Sequence, residues 1–590
     1  MSWLAGDRVH STGITTEDKG IANAMSKASL HGGEAIVEAF RSLGIEYVFS
    51  SPGSEWGPVW EAFARQKVEQ LPGPSYLSCG HELLAVDMAI GYTTATGRMQ
   101  ATVLHAGSGL MQGSMAVYGA RMLEIPMVVM SGEALSYGDE DGFDPGSQWY
   151  QYLSVVGGPQ IFMAPVTKWA TQATSAATLY EMVIRAGEMA QRPQKGPAYL
   201  NVPIETMIQP WIPPARRRKV PAAPKQRAFG PDIEKVADLL VNAKNPVITT
   251  ESGGRESAGY EALIELAELL SIPVVESRVA TVANFPRDNP LHQGYDIRPM
   301  LAEADLVLMV RNRVPWYPPK KGPEHATVVA IDEHPFKDHM VYQNLHADWY
   351  LEGDVPSSLT MLCEAVRALR PDAARVKERG AHWAKAHDRA EEDTRSAVAR
   401  SRAAKGIHPA NLCATLGEVL PGNTIYVDET TSHRGQIHQF VQNRGFLSYL
   451  RVPSGLGQSL GMALGVKIAS PGRPVVALIG DGAFLYNPVV PALGFAKRAN
   501  VPIMAVVFNN RGYRGMKNNH LSYYPDGVAA RHNVFYGETL DSSDYDQLAR
   551  ASGALGIRIE EPAQLESALR QGYEAVSNGR MAIVDVRLEA

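Results

Sequence analysis

The stretch VVALIGDGAFLYNPVVPALGFAKRANVPIMAVVFNNRGYRGM, residues 475–516, decides the fold of this chain. It opens with the apolar run 475–479, whose length and β-branched content are typical of a strand buried on both faces. A segment with helical character follows at about 489–498, and a second apolar run occupies 503–508. This order predicts a βαβ unit, in which the two strands are parallel neighbours in one sheet.

Polar groups follow both of these strands. Residues 480–482 are Gly-Asp-Gly and residues 509–512 are Asn-Asn-Arg-Gly. Open parallel sheets bind ligands at the carboxyl ends of their strands. Glycines let backbone N–H groups approach phosphate oxygens, and carboxylate, amide and carbonyl oxygens suit Mg²⁺. The stretch therefore predicts a phosphate and magnesium site. A generic nucleotide-binding turn followed by a surface Asn-Asn pair is the alternative.

Length and composition narrow the class of protein. A chain of 590 residues is expected to hold three or four domains, and 45% hydrophobic with 20% charged residues is typical of a globular protein. The formal net charge of −6 provides no basic surface for nucleic acid, so we expect no nucleic-acid partner.

The cysteines and the apolar runs bear on the compartment. Cys79, Cys363 and Cys413 lie far apart, which predicts neither a disulfide framework nor a cysteine metal cluster. No apolar run approaches the roughly 20 residues of a membrane span. The first 30 residues lack the apolar core of a secretory signal. We therefore expect a cytoplasmic protein without a membrane partner.

Strands alternate with helical segments along most of the chain, which predicts α/β domains with doubly wound parallel sheets. The expected strands lie at 47–49, 76–78, 101–104, 127–130, 246–249, 273–275, 306–310, 327–331, 424–427, 475–479, 503–508 and 582–586. We predict an N-terminal extension (1–31), a first domain (32–210), a linker rich in Pro, Arg and Lys (211–230), a central domain (231–370), a polar connecting segment (371–405) and a third domain (406–590).

Gly-Asp-Gly followed after a βαβ-length gap by Asn-Asn resembles the diphosphate-binding motif of the thiamine diphosphate (ThDP) enzymes. With three α/β domains, the chain resembles the acetolactate synthase and benzoylformate decarboxylase group from about Gly32 onward. The resemblance implies that Asp481, the Asn510 side chain and the Gly512 carbonyl hold Mg²⁺. It also implies cofactor contacts from Gly480, Gly482, Ala483 and Tyr513.

Glu82, in Gly80-His81-Glu82, matches the family's activating glutamate. By resemblance it hydrogen-bonds N1′ of the cofactor's aminopyrimidine and drives the imino tautomer, which removes the C2 proton of the thiazolium ring. A carboxyl group held near a heterocycle and away from water can share a proton with it. The alternative is that Glu82 only caps the N-terminus of a helix.

Further cofactor contacts are expected ahead of Asp481. The family places a bulky apolar side chain under the cofactor, and Leu456, 25 residues before Asp481, matches it. Ser454 matches the residue whose carbonyl accepts a hydrogen bond from the 4′-amino group. Thr431 and Ser432 are weaker candidates for diphosphate contacts, since Ser and Thr also cap helices.

Ser54 and His105 match polar residues that line the substrate site in benzoylformate decarboxylase-like members. A histidine beside the cofactor can act as acid and base near neutral pH. A histidine at the end of a strand can also be purely structural.

Met516 and Trp316 are the remaining substrate-pocket candidates. Met516 stands where pyruvate decarboxylases carry a glutamate acid, which argues against that subgroup. Trp316 lies where the central domain should reach over the site, although it could equally be a core or interface residue.

Three departures from the family pattern matter. Residues 138–144 lack the Phe-Gln-Glu signature typical of acetolactate synthase, and Arg311 and Arg313 lack the usual glycine context, so bound FAD is unsupported. Pro488 and Pro491 also interrupt the helix expected after Gly-Asp-Gly, because proline removes a donor and clashes with the preceding turn.

The sequence thus predicts a ThDP- and Mg²⁺-dependent enzyme that decarboxylates a 2-oxo acid, with possible ligation of the cleaved fragment to a second carbonyl compound. An acetolactate synthase-like carboligase is the first alternative. A non-catalytic ThDP-binding homologue and a Mg²⁺-dependent phosphohydrolase belong to other classes. The resemblance also implies a homo-oligomer, a dimer or a dimer of dimers, with active sites at the subunit interface.

Overall fold

The computed structural model of the chain describes residues 30–589 except 140, 142, 442–444, 454 and 541–543. The predicted extension 1–31 therefore lies almost wholly outside the described residues. Within the described ranges, no helix is long and apolar enough to cross a membrane.

The first compact unit contains a parallel six-stranded sheet in the order β2-β1-β3-β4-β6-β5. Its strands are β1 Tyr47–Ser51, β2 Ser75–Ser78, β3 Gln100–Leu104, β4 Met127–Glu133, β5 Trp169–Gln172 and β6 Pro197–Pro203. Its helices are α1 Gly32–Leu43, α2 Gly57–Val68, α3 Glu82–Thr96, α4 Ser108–Met122, α5 Pro159–Met163, α6 Ala176–Gln191 and α7 Ile204–Ile208. Short 3₁₀ turns at Ser54–Trp56 and Ala164–Val166 and a π-helical turn at Trp149–Leu153 complete it.

The second compact unit begins with a parallel five-stranded sheet in the order β11-β10-β9-β7-β8. Its strands are β7 Pro246–Thr250, β8 Val274–Glu276, β9 Leu306–Val310, β10 Thr327–Asp332 and β11 Trp349–Glu352. Its helices are α8 Gly230–Asn242, α9 Ser257–Leu270, α10 Arg298–Leu301 and α11 Val355–Leu369, with 3₁₀ turns at Gly253–Arg255 and Pro319–Lys321. The following helix, α12 Ala373–Ala403, leaves all its residues at least partly exposed, as its polar sequence predicts.

The same unit contains a second parallel six-stranded sheet in the order β13-β12-β14-β15-β17-β16. Its strands are β12 Ile425–Glu429, β13 Tyr449–Arg451, β14 Val475–Gly480, β15 Met504–Asn509, β16 Leu555–Ile559 and β17 Ala582–Arg587. The helices along this part of the chain are α13 Pro409–Val419, α14 Arg434–Phe440, α15 Ser459–Ala469, α16 Asp481–Tyr486, α17 Val489–Ala499, α18 Arg514–Tyr523, α19 Val528–His532, α20 Tyr545–Ala551 and α21 Leu565–Ser577, with a 3₁₀ turn at Pro562–Gln564. Residues 494–501, which include the second half of α17, are assigned to the first compact unit.

Strand β14 is buried on both faces, as its sequence predicts. Val476 and Leu478 belong to one apolar cluster, while Ala477 and Ile479, which point to the other face, are equally inaccessible to solvent. Full burial of each larger apolar side chain contributes about 1.5–3 kcal/mol. The strand is therefore anchored firmly, and its carboxyl end presents Asp481 in a fixed position.

The structure confirms three doubly wound parallel-sheet α/β domains. It resolves the helix interrupted by proline into two: α16 ends before Pro488, and α17 begins after it. Residues 211–229 form neither helix nor strand. The bounds of the linker stay a prediction.

Candidate active site

A hydrogen-bonded glutamate–histidine pair, in which Glu55 is buried and His105 half-buried, lies at the carboxyl ends of β1 and β3 in the first unit. Glu55, in the 3₁₀ turn after β1, has both carboxylate oxygens 2.9 and 3.1 Å from Nδ1 of His105, which directly follows β3. The same carboxylate accepts the Ala106 N–H at 2.9 Å. Because a carboxylate only accepts hydrogen bonds, Nδ1 of His105 carries the proton of this contact. The hydrogen bond to Glu55 raises the pKa of His105.

Two glycines make room for this pair. A Cβ atom on Gly53 would lie 1.9 Å from Nδ1 of His105, and one on Gly132 in β4 would lie 2.2 Å from Cγ of Glu55. Neither distance is sterically possible, so side chains at these positions would displace the ion pair. Ser54 is exposed and begins the 3₁₀ turn that contains Glu55.

Glu82 is the first residue of α3, and the residue before it caps that helix. Nδ1 of His81 accepts the Leu83 N–H at 3.2 Å, so the prediction that Glu82 serves only as the cap is wrong. A Cβ atom on Gly109 would lie 2.8 Å from a carboxylate oxygen of Glu82 and 2.7 Å from Cβ of His105. Glu82 and His105 therefore approach the same glycine, and the first unit brings the two predicted residues together.

In the third domain, Asp481 begins α16 at the end of β14. Its carboxylate accepts the N–H of Gly482 at 2.8 Å and the N–H of Gly512 at 3.1 Å. Burial raises the pKa of Asp481, whereas a bound cation would favour its charged form. The carboxylate and the Gly512 segment, two of the predicted metal ligands, are thus in direct contact.

The two asparagines at the end of β15 have different roles. The Asn509 amide donates to Asp585 at 2.8 Å, and its oxygen accepts the Arg511 N–H at 3.2 Å, so this side chain is committed to the sheet. Asn510 places Nδ2 3.2 Å from Nε2 of His433, while its buried Oδ1 has no hydrogen-bond partner among the described residues. A free buried amide oxygen near Asp481 is what a hard cation requires, so these residues fit Mg²⁺.

His433 accepts the Asn510 hydrogen bond as a neutral ring. Burial, with a smaller contribution from Arg514, lowers the pKa of His433 to about 4. Because the amide nitrogen of Asn510 can only donate, this contact requires the neutral tautomer in which Nε2 carries the lone pair and Nδ1 the proton.

A second buried glutamate, Glu429 at the end of β12, holds the loop that carries Leu456. It accepts the N–H groups of Gly457, Gln458 and Ser459 at 2.5, 2.9 and 3.0 Å, and the Asn487 amide at 2.8 Å. The Asn487 oxygen in turn accepts the Leu460 N–H at 3.0 Å. Glu429 therefore fixes the start of α15 relative to the end of α16. Leu456 is half-buried, and Ser454 lies outside the described residues.

Thr431 and Ser432 lie beside the start of α18. A Cβ atom on Gly515 would be 3.6 Å from Oγ of Ser432 and 3.7 Å from Cγ2 of Thr431. The neighbouring helix α14 begins after His433 without a side-chain cap, so the alternative that these hydroxyls cap it is wrong.

The other predicted cofactor contacts surround Asp481. Gly480 ends β14, Ala483 is buried in α16, and the Tyr513 ring would lie 2.5 Å from a Cβ atom on Gly482. Glycine at 482 is therefore required by the position of Tyr513.

The two substrate-pocket candidates of the second unit are Trp316 and Met516, and the Met516 N–H donates to the Tyr513 carbonyl at 2.9 Å. Trp316 is 8% exposed, belongs to an apolar cluster of the central domain and donates its indole N–H to the Pro319 carbonyl at 3.1 Å. It also lines a cavity of about 340 Å³ with Ser277 and Tyr295. Met516 lies in α18 and is 54% exposed. Their roles toward substrate remain predictions.

The two arginines that follow β9 form ion pairs with glutamates of the central domain. Arg311 is buried between Glu256 and Glu333, and Arg313 pairs with Glu251. These pairs occupy guanidinium groups that could otherwise face an anionic ligand.

Sequence reasoning missed Glu55, Glu429, Asn487 and His433. Glu429 is the last residue of β12 and Glu55 lies in the 3₁₀ turn after β1. An acidic residue at the carboxyl end of a buried parallel strand is the signal that could have identified them.

Comparisons with known proteins agree with this arrangement. Residues 30–151 match the family described as "Thiamine pyrophosphate enzyme, N-terminal TPP binding domain", residues 233–362 match its central domain, and residues 429–586 match its C-terminal TPP binding domain. The three matches follow the order of the three sheets.

Individual relatives resemble the chain over nearly its whole length. Acetolactate synthase isozyme 3 large subunit of Escherichia coli (strain K12) is 26% identical over 592 residues, covering 95% of each chain. Sulfoacetaldehyde acetyltransferase of Castellaniella defragrans is 25% identical over 592 residues, covering 93% of this chain and 92% of the relative. The crystal structure of benzoylformate decarboxylase from Polynucleobacter necessarius shares the fold with a TM-score of 0.74 at 20% identity, covering 95% of this chain and 98% of that chain.

The predicted resemblance is confirmed: the chain belongs to the thiamine pyrophosphate enzyme family, in the group that includes acetolactate synthase and benzoylformate decarboxylase.

Proposed function

We propose that this enzyme decarboxylates a 2-oxo acid with ThDP and Mg²⁺, and that His105 delivers the proton that completes the aldehyde product. The observation that carries the proposal is the pair formed by buried Glu55 and His105, with Glu82 approaching the same glycine. A histidine whose pKa is raised by a carboxylate keeps its proton to higher pH than a free imidazole and can act as an acid.

Asp481, Asn510 and the Gly512 carbonyl would hold Mg²⁺, which neutralises the diphosphate of the cofactor. The contact between Asp481 and the Gly512 N–H and the free Oδ1 of Asn510 support this assignment. When bound, ThDP supplies the nucleophilic carbon that adds to the keto group and the electron sink that allows CO₂ to leave.

The protein controls the protons of this reaction. Glu82 would hold a proton at N1′ of the aminopyrimidine, the role that the resemblance implies. His105 would give its proton to the carbon that has lost CO₂, and Glu55 would stabilise the charged imidazolium before that transfer. Ser54, which is exposed and precedes Glu55 in the chain, would donate a hydrogen bond to the substrate carboxylate.

Carboligation like that of acetolactate synthase is the second candidate, favoured by the names of the 26% and 25% identical relatives. In that reaction a second carbonyl compound, rather than a proton, takes the nascent carbon. A histidine held as a proton donor at this point favours protonation and thus aldehyde release. Intact Glu82, Asp481 and Asn510 speak against a non-catalytic homologue.

We also propose that the enzyme is a homo-oligomer, a dimer or a dimer of dimers. Glu82 and His105 belong to the first unit and the diphosphate and metal residues to the second. The resemblance implies that these half-sites meet between subunits. Cytoplasmic location stays a prediction from the sequence.

The test is product analysis after incubating the enzyme, loaded with ThDP and Mg²⁺, with a panel of aliphatic and aromatic 2-oxo acids. We expect one equivalent of aldehyde for each CO₂ with the best substrate. A 2-hydroxyketone or acetohydroxy acid as the main product would instead establish carboligation, and consumption of none of the 2-oxo acids would contradict the proposal.

A further inference from the structure

We infer that His433 is a positioning residue for the metal: it orients the Asn510 carboxamide so that Oδ1, rather than Nδ2, faces Mg²⁺. This inference rests on the metal site of the proposed function. The motif that identifies Asn510 contains no information about His433, which lies 77 residues earlier in the chain.

The geometry of Asn510 carries the inference. Its Nδ2 lies 3.2 Å from Nε2 of His433, and its Oδ1 is buried without a hydrogen-bond partner anywhere in the described chain. An asparagine amide has two nearly isosteric ends, of which only the oxygen can bind a cation. An acceptor on one side therefore selects the orientation that leaves the oxygen free on the other.

His433 itself is held firmly. It is 7% exposed, and its ring stacks on Phe508 with 5.7 Å between ring centroids and 29° between the ring planes. Phe508 belongs to β15, which also supports Asn510 through Asn509. Stacking on Phe508 therefore holds the His433 ring beside the strand end that Asn510 follows.

The contrast with Asn509 supports the assignment. Both ends of the Asn509 amide have partners within the protein, so its side chain is fully used by the structure. Asn510 has a partner only for its nitrogen. This asymmetry is expected of a metal ligand with an outer-sphere partner, and removal of such partners typically weakens metal affinity by about 10- to 100-fold.

The experiment compares two variants. His433→Phe retains a ring that can stack on Phe508 but has no acceptor, whereas the amide oxygen of His433→Gln can accept from Asn510. The readout is the Mg²⁺ dissociation constant, measured by titration calorimetry of apo protein saturated with ThDP. We expect His433→Phe to raise this constant about 10- to 100-fold and His433→Gln to stay close to wild type.

The thermal midpoint without Mg²⁺ and ThDP serves as the folding control, and His433→Leu provides a second variant without an acceptor if His433→Phe is insoluble. Wild-type Mg²⁺ affinity in the variants without an acceptor, or equal weakening in His433→Gln, would overturn the inference. If wild type itself binds no Mg²⁺ with ThDP, the proposed metal site fails, which is a separate outcome.

Discussion

The two carboxylate oxygens of Glu55 lie 2.9 and 3.1 Å from Nδ1 of His105, and Glu55 is 2% exposed. A buried carboxylate stabilises the protonated imidazole, so this contact sets the pH range in which His105 can donate a proton. The two residues are 50 positions apart in the chain, so their contact depends on the assembled sheet and not on local sequence.

Replacement of Glu55 by Gln should move the pH dependence of aldehyde formation. Since the folded pKa of His105 is raised, the proton donor of wild type is present at low pH and is lost as pH rises through that pKa. Without the anionic partner the pKa falls, and the loss of activity should occur at lower pH. The measurement is the rate of aldehyde formation against pH at saturating substrate.

Glu61→Gln, a change at an exposed glutamate in α2, is the matched control and should keep the wild-type profile. An unshifted profile in Glu55→Gln would mean that the ion pair does not govern the proton donor.

Gly132→Ala should destabilise the first domain. The new Cβ atom would lie 2.2 Å from Cγ of Glu55, so the buried carboxylate or the strand must move. Overpacking of this kind typically costs about 1–3 kcal/mol of unfolding free energy. The measurement is urea-induced unfolding of the variant and of Gly57→Ala, whose Cβ atom would meet no neighbour within 4 Å. Equal stability of the two variants would contradict the packing described for Glu55.

Metal removal should abolish activity, and its recovery on adding Mg²⁺ and ThDP should require Asp481. Dialysis against a chelator should inactivate the enzyme, and ThDP with Mg²⁺ should restore wild type but not Asp481→Ala. Because loss of an outer partner already weakens metal binding about 10- to 100-fold, loss of a direct ligand should weaken it at least about 100-fold. The assay is recovered activity against Mg²⁺ concentration.

Asp526→Ala, at an exposed position beyond α18, is the control for that titration and should recover fully. Full activity of wild type after removal of both ThDP and metal would refute the cofactor assignment.

The sequence predicts the interior strands of this fold better than its edges. Strands β14 and β15 have apolar residues on both faces, which makes them conspicuous in the sequence. The missed strands β5, β11, β13 and β16 all lie at sheet edges, where partial exposure weakens the apolar pattern. The missed β6 is internal, but it begins and ends with proline, which obscures a strand.

The residues of the candidate site are likewise predictable only in part. Asp481 and Asn510 belong to a local motif, so their positions at the strand ends follow from the sequence. Glu429 and Glu55 act on groups 28 and 50 residues away, and only the assembled sheet reveals those contacts. A buried carboxylate with distant partners has no periodicity of its own, so pattern reasoning cannot assign it a role.

The central claim is that His105 protonates the product carbon after CO₂ has left. A positioned acid typically contributes about 10²- to 10⁴-fold in rate, so His105→Ala should slow aldehyde release far more than it slows CO₂ loss. The nascent carbon should then be diverted toward ligation with added aldehyde. The direct measurement is the yield of CO₂ and of aldehyde from wild type and His105→Ala with the same 2-oxo acid. We predict a ratio of aldehyde to CO₂ near one in wild type and well below one in the variant. Equal losses of both products, or of neither, would show that His105 is structural and would contradict this account.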